Sequence, residues 1–147
     1  VGKGGKFFGI VKFRTLRPPR TGAASPVQDV EKRAYPFVTF LRRSRIDELP
    51  QLLLVLRGTM SLVGPRPEMV FFHRRSSRSI PMYGHRLAAK PGLTGWAQIR
   101  YAHSTTDAEY SDKTAYDLWY VAHRNLTVDG KIMLRTIGIL LNRFGAK

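Results

Sequence analysis

The 147 residues carry 43% apolar and 11% aromatic side chains, enough to bury the core of one ordinary domain and to exclude a disordered chain. Lysine and arginine number 25 against 10 aspartates and glutamates, and the resulting formal charge of +15 implies an anionic partner: nucleic acid, nucleotide, lipid phosphate or an acidic membrane surface. The chain has no cysteine, which excludes disulfides and thiolate zinc sites, and no apolar run approaches the roughly 18–20 residues of a spanning helix.

The chain opens on Val1-Gly2-Lys3-Gly4-Gly5-Lys6 with neither an initiator Met nor the apolar run of a signal peptide, so it is expected to be a piece of something longer. Gly2 to Lys6 is a turn signal and Phe7 to Thr15 reads as a strand, which together predict an N-terminal β-hairpin. The P-loop spacing is absent, so the glycines are assigned to the turn. Lys12 and Arg14 fall on one face of that strand, either as a solvated face or as cations aimed at a phosphate. Arg17 to Val30, rich in Pro, Gly and Ser, reads as a loop of about 14 residues, long enough to cover a substrate.

A short helix is expected over Thr39 to Arg43, followed by the acids Asp47 and Glu48. With Asp47 as N-cap, Pro50 sits in the first helical turn, and Leu49, Leu52, Leu53 and Leu56 take the spacing of a buried helical face ending near Gly58. Two readings of the acids stand side by side. One is a cap and a favourable first-turn acid. The other is a phosphate-handling site, because Arg42, Arg43 and Arg45 precede the acids and Arg66 follows within Gly64-Pro65-Arg66-Pro67. A carboxylate in such a field stays ionised and available as a nucleophile.

Met69 to Arg78 reads as an amphipathic segment, and His73 and His85 show no metal-ligand spacing. Lys90 to Gln98 reads as a tightly specified loop with Trp96 as a packing platform. Ala108 to Arg124 is a helix whose Asp117 stands among apolar residues and needs a partner. Val128 to Phe144 is a final helix with Ile132, Met133, Thr136, Ile137, Leu140 and Leu141 on one face. One hairpin and about four helices predict an α+β domain with helices dominant.

Five blocks then point the same way. Lys-Phe-Arg-Thr (12–15), Phe-Leu-Arg-Arg-Ser-Arg-Ile-Asp-Glu-Leu-Pro-Gln-Leu (40–52), Gly-Thr-Met-Ser-Leu-Val-Gly-Pro-Arg-Pro-Glu (58–68), Lys-Pro-Gly-Leu-Thr-Gly-Trp-Ala-Gln-Ile (90–99) and Tyr-Asp-Leu-Trp-Tyr-Val (116–121) resemble the bacterial sugar transferase family of monotopic phosphoglycosyl transferases. The resemblance covers nearly the whole chain, with the family's N-terminal membrane helix missing from residues 1–147. It implies transfer of a sugar-1-phosphate from a UDP-sugar to polyprenyl phosphate at the cytoplasmic face of a bacterial inner membrane, initiating exopolysaccharide or glycan assembly. By resemblance Asp47 is the nucleophile and tentative Mg²⁺ ligand, Glu48 its dyad partner, and Arg43 and Arg66, with Lys12 and Arg14, bind phosphate. Gln98 and Asp117 fall in family blocks as further site candidates. The alternatives are an inactive truncated homologue that binds a membrane or a complex, and a basic nucleic-acid-binding module. The chain lacks a recognisable module of the latter kind.

Overall fold

The computed structural model describes residues 1–15, 37–101 and 107–145; for Thr39, Arg42, Arg43, Asp107 and residues 143–145 it describes the backbone alone. The loop expected over Arg17 to Val30 lies outside the described residues.

The glycine turn forms as expected, with the Gly2 N–H donating to Lys6 O at 2.8 Å and Gly4 and Gly5 at φ 65° and 78°. The strand does not. Phe7 to Thr15 joins no β-ladder, so the predicted hairpin is absent among the described residues. A hairpin needs a partner strand before its turn, and only Val1 precedes Gly2 in this sequence. The segment finds another partner instead: the Phe13 N–H donates to Asp47 O at 3.0 Å.

The β-structure is a parallel pair, β1 (Ser61–Val63) and β2 (Gly92–Thr94), with Ser61 opposite Gly92 and Val63 opposite Thr94. Strands of three residues are too short to show the alternation that sequence reading relies on. Between them run a helix (Val70–Ser79) and a 3₁₀ segment (Tyr83–Ala88), the kind of crossover a parallel pairing requires. Gly92 lies backbone to backbone against Gly64, and a Cβ on Gly92 would collide with the Gly64 main chain. This close approach clamps the start of the Pro-Arg-Pro turn against β2, where Gly92 N–H donates to Pro65 O at 2.9 Å.

In chain order the helices are α1 (Val38–Ser44), α2 (Leu52–Leu56), α3 (Val70–Ser79), α4 (Trp96–Arg100), α5 (Asp107–His123) and α6 (Leu126–Gly145). The expected helices over 39–43, 108–124 and 128–144 are thus α1, α5 and α6. Asn125 Oδ1 caps α6 by accepting from Val128 N–H at 2.9 Å. The core forms where α5 and α6 meet β1: Val63, Tyr120 and Ile132 are buried together, with Trp96, Ile99, Val121 and Val128 packed around them. The Tyr120 hydroxyl donates to Asp129 Oδ1 at 2.8 Å, so the aromatic ring is buried with its polar end satisfied. Trp96 is structural, stacked on Trp119 at 5.1 Å with the Arg100 guanidinium over its ring. Helix α6 departs from its predicted face: Ile132 is fully buried, while Ile137 and Leu141 are exposed.

The central leucines also depart from expectation. Leu49, Leu52, Leu53 and Leu56 are all exposed, Leu56 to 83%, and Leu54 is the buried one. Residues Ile46–Gln51 form a 3₁₀ turn containing Pro50, which leaves α2 only five residues long. A turn with 3.0 residues per repeat rotates the following residues out of the register that a continuous 3.6-residue helix would give.

Candidate active site

The same 3₁₀ turn builds the acidic pair. Asp47 is not the N-cap; Arg45 holds that position, in the left-handed region at φ 58°, and no side chain caps the turn. A non-glycine residue held there costs about 1–3 kcal/mol, a strain typical of segments that aim functional groups. The reversal at Arg45 separates α1 from the turn and buries both acids, Asp47 at 9% and Glu48 at 6% exposure. Pro50 has no N–H to give back to the turn, and the Asp47 carbonyl accepts the Phe13 N–H instead. That bond docks the N-terminal segment on the turn and delivers the neighbouring Lys12.

Glu48 is the hub. Its Oε1 accepts from Arg66 Nη2 at 2.8 Å, from Lys12 Nζ at 2.9 Å and from Arg45 Nη1 at 3.3 Å. Burial pushes the Glu48 carboxyl up, but the hydrogen bonds and charges of Arg66 and Lys12 outweigh it and bring the pKa down to about 2. One carboxylate therefore gathers three cations, each still partly open to solvent. Asp47 stands beside this cluster in a different state. Its Oδ1 is buried and has no hydrogen-bond partner among the described residues. A buried acceptor without a partner is an exception in folded proteins and a mark of sites completed by a ligand or an ion.

The remaining candidates divide. Arg14 is exposed and makes no ion pair with a described acid. The Arg43 side chain lies outside the described atoms, with its backbone in α1. Gln98, on α4, donates through Nε2 to Leu93 O at 3.2 Å and leaves Oε1 buried without a partner. With Glu48, Arg45 and Thr94 it lines a cavity of about 270 Å³ otherwise walled by side chains such as Leu49, Ile137 and Leu140. Asp117 is not at the dyad: its Oδ2 accepts from Arg86 Nε and Nη2 at 3.0 and 2.6 Å in the core. Sequence reasoning missed Arg86. The signal available was Asp117 itself, a buried acid in need of a partner, but nothing local selects a residue 31 positions away.

Residues 1–143 match the model of a family described as bacterial sugar transferase. The chain belongs to that family. It is 38% identical over 148 residues to a UDP-N-acetylgalactosamine-undecaprenyl-phosphate N-acetylgalactosaminephosphotransferase of Aeromonas hydrophila, covering all of this chain and 35% of the relative. It is 42% identical over 143 residues to a UDP-glucose:undecaprenyl-phosphate glucose-1-phosphate transferase of Caulobacter vibrioides, covering 95% of this chain and 54% of the relative. An undecaprenyl-phosphate galactose phosphotransferase of Salmonella typhimurium is 35% identical, covering 99% of this chain and 33% of the relative. The chain thus spans between a third and just over half the length of these curated relatives.

For this sugar transferase chain, a magnesium site of several protein ligands does not form. No group of three or more His, Cys, Asp or Glu side chains is placed to hold an ion among the described residues. The donor set suits a different arrangement, in which Mg²⁺ takes one carboxylate and completes its shell with phosphate and water oxygens. The unpartnered Asp47 Oδ1 is a fitting protein ligand for that, whereas Glu48 Oε1 is already taken by cations.

Proposed function

We propose that this chain is the catalytic portion of an enzyme that moves a sugar-1-phosphate from a UDP-sugar to polyprenyl phosphate, through a covalent phosphosugar on Asp47. The observation that carries the reading is the contrast within the dyad: a buried, unpartnered Asp47 oxygen beside a Glu48 that holds Lys12, Arg45 and Arg66. The names of the relatives, which join a sugar phosphate to undecaprenyl phosphate, supply the substrate classes.

In this account an Asp47 carboxylate oxygen attacks the phosphorus bonded to the sugar. The new O–P bond forms as the bridging P–O bond breaks, and UMP leaves with the electron pair. A phosphate oxygen of the polyprenyl phosphate then attacks the same phosphorus, breaking the Asp47 bond and regenerating the carboxylate. Arg66 and Lys12, freed in part from Glu48 by the competing anion, offset the charge of the transferring phosphoryl group. Glu48 keeps these cations assembled between turnovers. Mg²⁺, held by Asp47 and the diphosphate, would supply further charge neutralisation.

The lipid acceptor places the work at a membrane surface, by this reading the cytoplasmic face of the inner membrane. The +15 charge and the exposed leucines of α2 suit such a surface, and no helix among the described residues is long and apolar enough to cross it. The test is UMP release by Asp47→Asn. Turnover falls to background while the melting temperature stays within a few degrees; retained turnover removes Asp47 as nucleophile.

A further inference from the structure

The Pro-Arg-Pro turn is held from behind by a buried charge pair. Arg86, in the 3₁₀ segment 83–88, is 4% exposed and Asp117, on α5, is 1% exposed. Besides its two bonds to Asp117 Oδ2, Arg86 donates from Nη2 to Arg66 O at 2.7 Å and from Nη1 to Tyr83 Oη at 3.2 Å. Burial works to lower the Arg86 pKa, but the Asp117 carboxylate beside it more than offsets this and the pKa is raised, so the guanidinium stays charged.

We propose that Arg86, oriented by Asp117, is a positioning residue that fixes the Arg66 backbone so that the Arg66 guanidinium reaches Glu48 and the phosphate of a bound substrate. The proposal rests on the phosphate-handling reading of the site. A buried ion pair is a poor choice for stability alone, since apolar residues of similar volume often do as well. What apolar residues lack is a donor aimed at the Arg66 carbonyl. Proline on either side stiffens the turn but withholds N–H groups at positions 65 and 67, so these residues add no main-chain donors to hold it. Pro65 O takes the Gly92 N–H, Arg66 O takes Arg86, and the Glu68 side chain takes Lys113 at 2.7 Å. The middle fastener acts on the very residue whose side chain grips Glu48. It also needs a fork: one planar guanidinium spans Asp117 and Arg66 O at once, which a single ammonium does poorly.

The decisive test uses the full chain and reads Arg66 directly. Nitrogen-15 relaxation of the Arg66 Nε–H gives its order in the wild type, in Arg86→Lys, which keeps the buried charge balance, and in Arg86→Met/Asp117→Leu, which replaces the pair by apolar volume. Expected is an ordered Arg66 Nε–H in the wild type and a mobile one in either variant that folds, whatever the change in melting temperature. In parallel, Arg86→Lys lowers kcat by roughly 10²-fold, the scale of a misplaced binding group, and adds nothing further on an Arg66→Ala background. An Arg66 Nε–H equally ordered in the folded variants, or losses from Arg86→Lys and Arg66→Ala that multiply, overturns the proposal. If the wild type releases no UMP, the transferase reading fails, while the relaxation measurement still decides whether Arg86 positions Arg66.

Discussion

Replacing Glu48 by Gln tests the electrostatic hub in a way the structure makes quantitative. The fall of its carboxyl from 4.5 to about 2 on folding, at roughly 1.4 kcal/mol per pH unit, corresponds to about 3 kcal/mol. Lys12 and Arg66 are partly solvated, so screening reduces this to about 2 kcal/mol. The sign follows from a depressed folded pKa. The stabilisation is fully present above pH 4.5 and is lost as the pH falls through the window down to about 2. Urea unfolding of wild type and Glu48→Gln between pH 7 and pH 2.5 isolates the contribution, because the other carboxylates titrate in both proteins. The wild type is expected to be the more stable by about 2 kcal/mol at neutral pH, and the two curves are expected to converge toward pH 2.5. Parallel curves across that range contradict the view that Glu48 is ionised and held by Arg66 and Lys12.

Other consequences are equally specific. Asp117→Ala leaves the buried Arg86 guanidinium without its counter-charge and is expected to destabilise by about 3–5 kcal/mol in thermal or urea melts. Gly92→Ala drives a methyl group into the Gly64 backbone, and a loss of about 1–3 kcal/mol is expected, with reduced UMP release as the Pro-Arg-Pro turn shifts. Lys12→Ala raises KM for the UDP-sugar or lowers kcat by at least about tenfold, whereas Arg14→Ala, exposed and without an ion pair to a described acid, stays within a few-fold of wild type.

How much of this was legible in the sequence depended on whether the signal was local. Helices α5 and α6 are long and strongly patterned and stand where expected, and Gly58, at φ 74°, ends the central helical stretch as its identity suggests. The Leu49–Leu56 face failed because Pro50 favours a 3₁₀ turn ahead of α2, and a spacing rule for one helix type does not carry across two. The hairpin failed because a strand pattern shows a capacity to pair, while the partner actually taken is Asp47 O. The dyad itself was visible, but its division of labour was not. Which acid is saturated by cations and which is left open depends on Lys12 and Arg66, 36 and 18 positions from Glu48. Arg86 escaped for the same reason. Composition gave a need for an anionic partner, and family membership, not charge, chose among the anions.

The central claim is a phosphosugar bond to Asp47. Mass spectrometry of the chain incubated with UDP-sugar and Mg²⁺, without lipid acceptor, tests it most directly. The account predicts a hexose-phosphate-type mass increase on the peptide containing Asp47, absent in Asp47→Asn and discharged on adding polyprenyl phosphate. Turnover with no adduct on that peptide under rapid quenching, or an adduct carried by another residue, contradicts it.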